Sequence, residues 1–123
     1  MEAWINCGES FIKADVVRWT EAVFDRPLTR YGRKRKTGKA IHVGEREIAA
    51  EVLREPDAKG FVTLLVRACR TVSAREHWPV EQLKLGIEIR RQKKTLLNGN
   101  IARKAWDDEG ARAMVVSAFL GNT

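Results

Sequence analysis

The chain has 123 residues, of which 44% are hydrophobic and 32% charged, and its formal net charge is +7. This length supplies one hydrophobic core, so we expect a single domain over residues 1–123. The apolar content and the four tryptophans exclude a disordered chain. No apolar stretch approaches the ~18 residues of a membrane-spanning helix, and residues 1–6 lack the pattern of a secretory signal. We therefore expect a cytoplasmic protein with no membrane partner.

The first strand pattern runs from about Phe11 to Phe24, with Asp15 predicting a bend near its start. One side of this strand holds Val17, Trp19, Glu21 and Val23, and the other holds Val16, Arg18, Thr20, Ala22 and Phe24. β-branched and aromatic residues dominate both sets, which is typical of strands. From Asp25 to Lys39 the alternation stops, and Pro27, Gly32 and Gly38 predict a long loop or hairpin tip that is disordered in the free protein.

Strand patterns resume at residues 40–43, and residues 46–54 follow after a predicted turn at Gly44-Glu45. Ile48, Ala50 and Val52 alternate with charged or small residues, which predicts one wet face. Residues 56–60, Pro-Asp-Ala-Lys-Gly, form a favourable tight turn. The apolar run from Phe61 to Cys69 then predicts a buried strand, so residues 40–69 read as an antiparallel meander.

The next stretch is ambiguous, because Pro79 favours a helix start whereas residues 83–89 alternate with period 2. We expect a helical turn near 79–83 and a strand to about Arg91. A short helix is predicted from about Thr95 to Trp106, and a longer one follows, with Asp107 as its cap and Gly121 after its end. Its apolar stripe, expected to pack on the core, consists of Ala111, Met114, Val115, Ala118 and Phe119.

These elements predict an α+β fold. A small antiparallel β-sheet would be curled into an open SH3-like or OB-like barrel, with two C-terminal helices packed on it. The β-rich part would cover about residues 3–91, including the basic loop 25–39, and the helical part about residues 95–120. Such a fold assigns no function by itself.

Positive charge is concentrated in two segments of the chain. Residues 25–39 carry a net charge of +6 and residues 90–94 carry +4, so the rest of the chain sums to −3. Crowded cations repel one another, and an anionic partner relieves that repulsion. The simplest alternative is that both segments are solvated surface.

The charge distribution favours a non-enzymatic module that contacts the phosphate backbone of DNA or RNA. Loop 30–39 and cluster 90–94 would make the contacts, and Tyr31 can stack on a base. The expected binding residues are Arg30, Tyr31, Arg33, Lys34, Arg35, Lys36, Lys39, Arg90, Arg91, Lys93 and Lys94. An adaptor or inhibitor that docks the same loop on an acidic protein surface is the alternative.

The sequence carries no motif of an enzyme or a cofactor site. Cys7, Cys69, His42 and His77 form no close pair of the kind that binds zinc, and Cys69 is expected to be a small core residue. The glycines match no nucleotide-binding pattern. Asp15 and Glu21 share a strand face by their spacing, which leaves a metal-dependent nuclease as a third, weaker hypothesis.

Overall fold

The computed structural model describes residues 4–8, 10–25, 40–76 and 78–120. Within them the elements are β1 (Trp4–Asn6), β2 (Val16–Asp25), β3 (Ile41–Arg54), β4 (Phe61–Ala74), β5 (Glu88–Gln92), α1 (Lys93–Leu97), β6 (Ala102–Lys104) and α2 (Glu109–Leu120). All six strands form one antiparallel sheet in the order β1-β6-β2-β3-β4-β5. The predicted α+β class is confirmed.

The core lies on one face of the two central hairpins. Trp19 pairs with Ile48, and Val17 pairs with Ala50, and all four side chains are buried. Because successive residues of a strand point to opposite faces, the intervening Arg18 and Ala49 face outward. The predicted alternation along β2 and around Ile48 is therefore confirmed. The strand itself begins later than predicted, at Val16, and is preceded by a turn in which the Asp15 amide donates to Ile12 O.

The sheet curls strongly but does not close. Arg91 on β5 reaches Glu21 on β2, with Nε to Oε1 at 3.0 Å, although two strands separate β5 from β2 in the sheet order. The chain after β5 spans this side of the curl, with Leu96 buried in the core and the Thr20 amide donating to Gly99 O at 2.8 Å. In the described part of the chain, β1 and β5 end the strand order and do not pair with each other. The α+β sheet is therefore open, and the predicted SH3-like or OB-like barrel is not confirmed.

Residues 95–106 do not form the predicted helix. Helix α1 covers only Lys93–Leu97, and the chain then turns through Asn100, whose φ is +55°. Strand β6 follows and inserts between β1 and β2, with Arg103 opposite both Ile5 and Val17. The predicted division into a β-rich part and a helical part is wrong at this point, because β6 adds to the sheet a strand from the C-terminal part.

Gly44 does not mark a turn, because β3 runs unbroken through it. Gly44 pairs with Val23 on one side and Ala74 on the other. A Cβ at this position would meet Ser73 O at 2.2 Å and Val80 Cγ2 at 2.6 Å. The glycine thus permits close approach of the chain around Ser73 and Val80, which is a role that a turn prediction misses.

The predicted helical turn near 79–83 is absent, and the strand that follows it is shorter than expected. Only Glu88–Gln92 forms a strand, although the Val66 amide also donates to Ile87 O at 2.9 Å. Gly86, with φ +83°, interrupts the alternation. Residues 79–85 instead lie along the sheet, where Gln82 Nε2 donates to Thr71 Oγ1 at 2.6 Å.

The described side chains of helix α2 make polar contacts at its start and through Arg112. Asp108 caps it in place of the predicted Asp107, since Asp108 Oδ1 accepts the Ala111 amide at 3.0 Å. Met114 is 74% exposed and Val115 45% exposed, so their predicted core position is wrong. Among the described side chains of the helix, residues 109–117, Arg112 is the buried one. Among the described residues, no helix is both long and apolar enough to cross a membrane.

Candidate nucleic-acid interface

The predicted basic loop connects β2 to β3, and its two attachment points are defined. Asp25 pairs with Ile41, so residues 26–40 are the connection of a β-hairpin. The predicted binding residues of this connection lie outside the described residues: Arg30, Tyr31, Arg33, Lys34, Arg35, Lys36 and Lys39. The structure therefore locates where this cationic segment is attached.

Two of the four cations in the second cluster are engaged within the protein. Arg90 is exposed, but its guanidinium bonds Asp57 Oδ2 at 2.9 Å and lies 4.7 Å from the centre of the Phe61 ring. Arg91 is half-buried and bonds both carboxylate oxygens of Glu21. A phosphate would have to compete with these carboxylates, so neither arginine is a simple phosphate contact.

Lys93 and Lys94 are the remaining cations of this cluster, and they begin α1. Lys93 is half-buried and Lys94 is exposed. Neither forms an ion pair with another described residue. The Lys93 amide donates to Gly60 O at 2.8 Å, which places the start of α1 beside the turn between β3 and β4. These two lysines are the members of the cluster that remain available to an anion.

The two predicted clusters attach at different places on the curled sheet. Gly44 of β3, which lies near the connection between β2 and β3, pairs with Ala74 at the end of β4. Strand β5 pairs with the other half of β4, Phe61–Leu65. The curl nevertheless brings the Arg91 guanidinium against Glu21. Glu21 lies four residues before the end of β2, or about 13 Å along the strand.

Glu21 is the centre of a charged cluster on the inner face of the sheet. It accepts hydrogen bonds from Trp19 Nε1, from Arg91, and from Arg46 Nη2 at 2.9 Å. Burial raises the pKa of Glu21, but the hydrogen bonds from Arg91, Trp19 and Arg46 outweigh burial and lower that pKa below its ordinary range. The ionised Glu21 carboxylate thus links β2, β3 and β5 through its hydrogen bonds.

Asp15 belongs to a second cluster and is fully buried. Its two carboxylate oxygens accept from Arg112 Nε at 2.8 Å, from Arg112 Nη2 at 2.7 Å, from Trp106 Nε1 and from the Ile12 amide. Nearby, burial and then the Asp15 charge raise the pKa of the Cys7 thiol to about 11. Cys7 is therefore a protonated core thiol at neutral pH.

The hydrogen-bond donors around Asp15 and Glu21 matter for the nuclease hypothesis, because that hypothesis needs these carboxylates to bind a metal ion. Asp15 and Glu21 each have their oxygens directed at guanidinium groups, which leaves no open carboxylate pair for a hard cation. Among the described residues, no group of three or more His, Cys, Asp or Glu side chains is arranged to hold a metal ion.

Sequence reasoning did not select the aromatic residues at the base of the hairpin. Phe24, next to the end of β2, is 61% exposed, and its ring centre lies 5.4 Å from that of His42, which is also exposed. A register shift after Val23 places Phe24 opposite His42 instead of Val43. The alternation along β2 had already put Phe24 on the face opposite Trp19, which is the signal that could have identified it.

A shallow groove runs from His42 across the end of the sheet. It is lined by His42, Val43, Gly44, Ser73, Ala74 and Arg75. The Arg75 amide donates to Val43 O at 2.7 Å, and its guanidinium lies 5.9 Å from the centre of the Trp78 ring. We call this site the hairpin-base groove: the six lining residues, with Phe24 in contact with His42 and Trp78 in contact with Arg75. None of the described residues that line it is a carboxylate.

Comparison with known proteins gave no match to a family model, to a curated protein or to a solved structure. The function is therefore argued from the chain alone.

Proposed function

We propose that the protein is a non-enzymatic, cytoplasmic nucleic-acid-binding module whose β2–β3 hairpin contacts the phosphate backbone. The observation that carries this proposal is the charge of residues 26–39, which contain seven Lys and Arg residues and no Asp or Glu. The hairpin register attaches this segment to one end of the sheet through Asp25 and Ile41. Each cation that meets a phosphate releases condensed counterions, which supplies sequence-independent affinity.

Lys93 and Lys94 are proposed as a secondary contact. They lack carboxylate partners among the described residues, whereas Arg90 and Arg91 serve the fold through Asp57 and Glu21. The proposal also groups the curled sheet with small SH3-like or OB-like barrels. The Arg91–Glu21 contact across its open side supports that grouping.

The test is binding of labelled single-stranded DNA, duplex DNA and RNA over a salt series. With six to ten phosphate contacts, affinity should fall by roughly 10³–10⁵ between 50 and 200 mM salt. Replacing Arg33, Lys34, Arg35 and Lys36 together by Gln should reduce the slope of log affinity against log salt by about 3–4 on duplex DNA.

The matched control replaces Arg67 and Arg70 by Gln, because these arginines are paired with Glu51 and Glu47 on the outer face of the sheet. This control should leave the slope nearly unchanged. Weak binding that is insensitive to salt overturns the proposal. A protein partner that stays bound after nuclease treatment, and that the fourfold variant loses, supports the adaptor with an acidic partner surface instead.

A further inference from the structure

The hairpin-base groove carries an observation that phosphate binding does not explain. Phosphate contacts need cations, yet this end of the sheet presents two ring contacts: Phe24 packs against His42, and the Arg75 guanidinium lies over Trp78. Phe24 is 61% exposed and His42 is also exposed, whereas Trp78 is half-buried. All four residues are described by the structure and lie outside the basic connection.

Phe24 is not part of the hydrophobic core. The core below it is filled by Val23 and Val43, which are 9% and 0% exposed. The register shift after Val23 adds Val43 to β3 as an extra residue and turns His42 to the same outer face as Phe24. Bulges of this kind re-aim side chains and are common beside functional sites. The result is a pair of rings in contact, held open to solvent.

We propose that the hairpin-base groove stacks unpaired bases, so that the preferred partner is single-stranded rather than duplex nucleic acid. This inference rests on the proposed function and names its substrate class. Flat rings bind bases through their faces, and the faces are accessible only in an unpaired strand. Arg75 can stack on a base or bind the phosphate next to it, and the six described lining residues include no carboxylate that would repel the strand.

The experiment compares a labelled single strand of about 15 nucleotides with a duplex of the same length, using the full chain. Phe24→Ala should weaken single-strand binding by roughly 5- to 150-fold, the range measured for losing one stacked base. The salt slope should not change, because no charge is removed. Duplex binding should stay within about twofold, and Phe24→Trp should restore single-strand binding.

Met114→Ala is the matched control. It also truncates a large exposed side chain, but Met114 lies on α2, away from the groove. Equal melting temperatures of the variants would establish that Phe24→Ala leaves the fold intact. Equal losses on both substrates, or no loss on the single strand, overturn the stacking inference while salt-dependent binding still supports the proposed function. Absence of salt-dependent binding in the unaltered protein overturns the proposed function itself.

Discussion

At the scale of single residues, two carboxylates, one fully buried and one partly buried, link distant parts of the chain. Asp15 joins the segment before β2 to Trp106 and Arg112, which lie more than ninety residues later. Glu21 joins β2 to Arg46 and Arg91. Their charges are satisfied by several donors each, which offsets the cost of burying them. Neither partnership was visible in the sequence, because each partner lies 25 or more residues away and no spacing rule connects them.

Asp15→Asn tests the first of these contacts. The amide keeps one accepting oxygen but replaces the other by an NH2 donor, so part of the bonds to the carboxylate are lost and the Arg112 guanidinium is left buried without a counter-charge. We expect the free energy of unfolding to fall by about 3–5 kcal/mol, measured by urea denaturation.

Glu51→Gln is the control, because its pair with Arg67 is exposed and should contribute under ~1 kcal/mol. Similar small losses for both variants would show that Asp15 does not fasten α2.

At the scale of elements, the sequence pattern correctly predicted those features that depend on residues close together in the chain. The period of Val17 and Trp19, and that of Ile48 and Ala50, identified the buried face of two long strands. Strand β6 escaped detection because three residues are too few to show a period, and its place depends on β1 and β2. The stripe on α2 also misled, since Met114 follows helical spacing but faces solvent while Arg112 binds Asp15. Within the candidate site, the positive charge could be predicted from the sequence. The Phe24–His42 contact could not, because it depends on a β-bulge.

The close packing of α1 against β2 gives a prediction at this scale. A Cβ on Gly99 would lie 2.3 Å from Thr20 O and 3.2 Å from Trp19 Cβ. Gly99→Ala should therefore push α1 away from β2. The free energy of unfolding should fall by about 3 kcal/mol or more, which is the upper end of the range for overpacked sites.

Gly60→Ala is the comparison in the same denaturation experiment. Gly60 has φ +83° with nothing within 4 Å of an added Cβ, so only backbone strain of about 1–2 kcal/mol is expected. A smaller loss for Gly99→Ala than for Gly60→Ala would contradict the proposed packing.

At the scale of the whole molecule, the scaffold and the cationic segment are separable. The chain has 23 Lys and Arg residues and 16 Asp and Glu residues, and seven of the cations lie in residues 26–39. The remainder is therefore balanced at zero net charge. The register between β2 and β3 also lies entirely outside the connection, from Asp25–Ile41 to Val16–Glu51.

Replacing residues 26–40 by Asn-Gly should thus preserve the fold. This dipeptide forms the turn that suits a two-residue hairpin, and a shorter connection costs less chain entropy, by about 1–2 kcal/mol. Circular dichroism and thermal unfolding should show a cooperative protein that no longer binds nucleic acid. Loss of cooperative unfolding would mean that the connection is part of the core structure.

The pairing of Asp25 with Ile41 has a consequence for how the molecule approaches a partner. It attaches all of the excess charge to one end of an electrically neutral body, so the centre of charge is displaced from the centre of mass. In the field of a polyanion such a body experiences a torque as well as an attraction. The protein should then arrive hairpin first, with Phe24 and His42 already facing the strand before any contact forms.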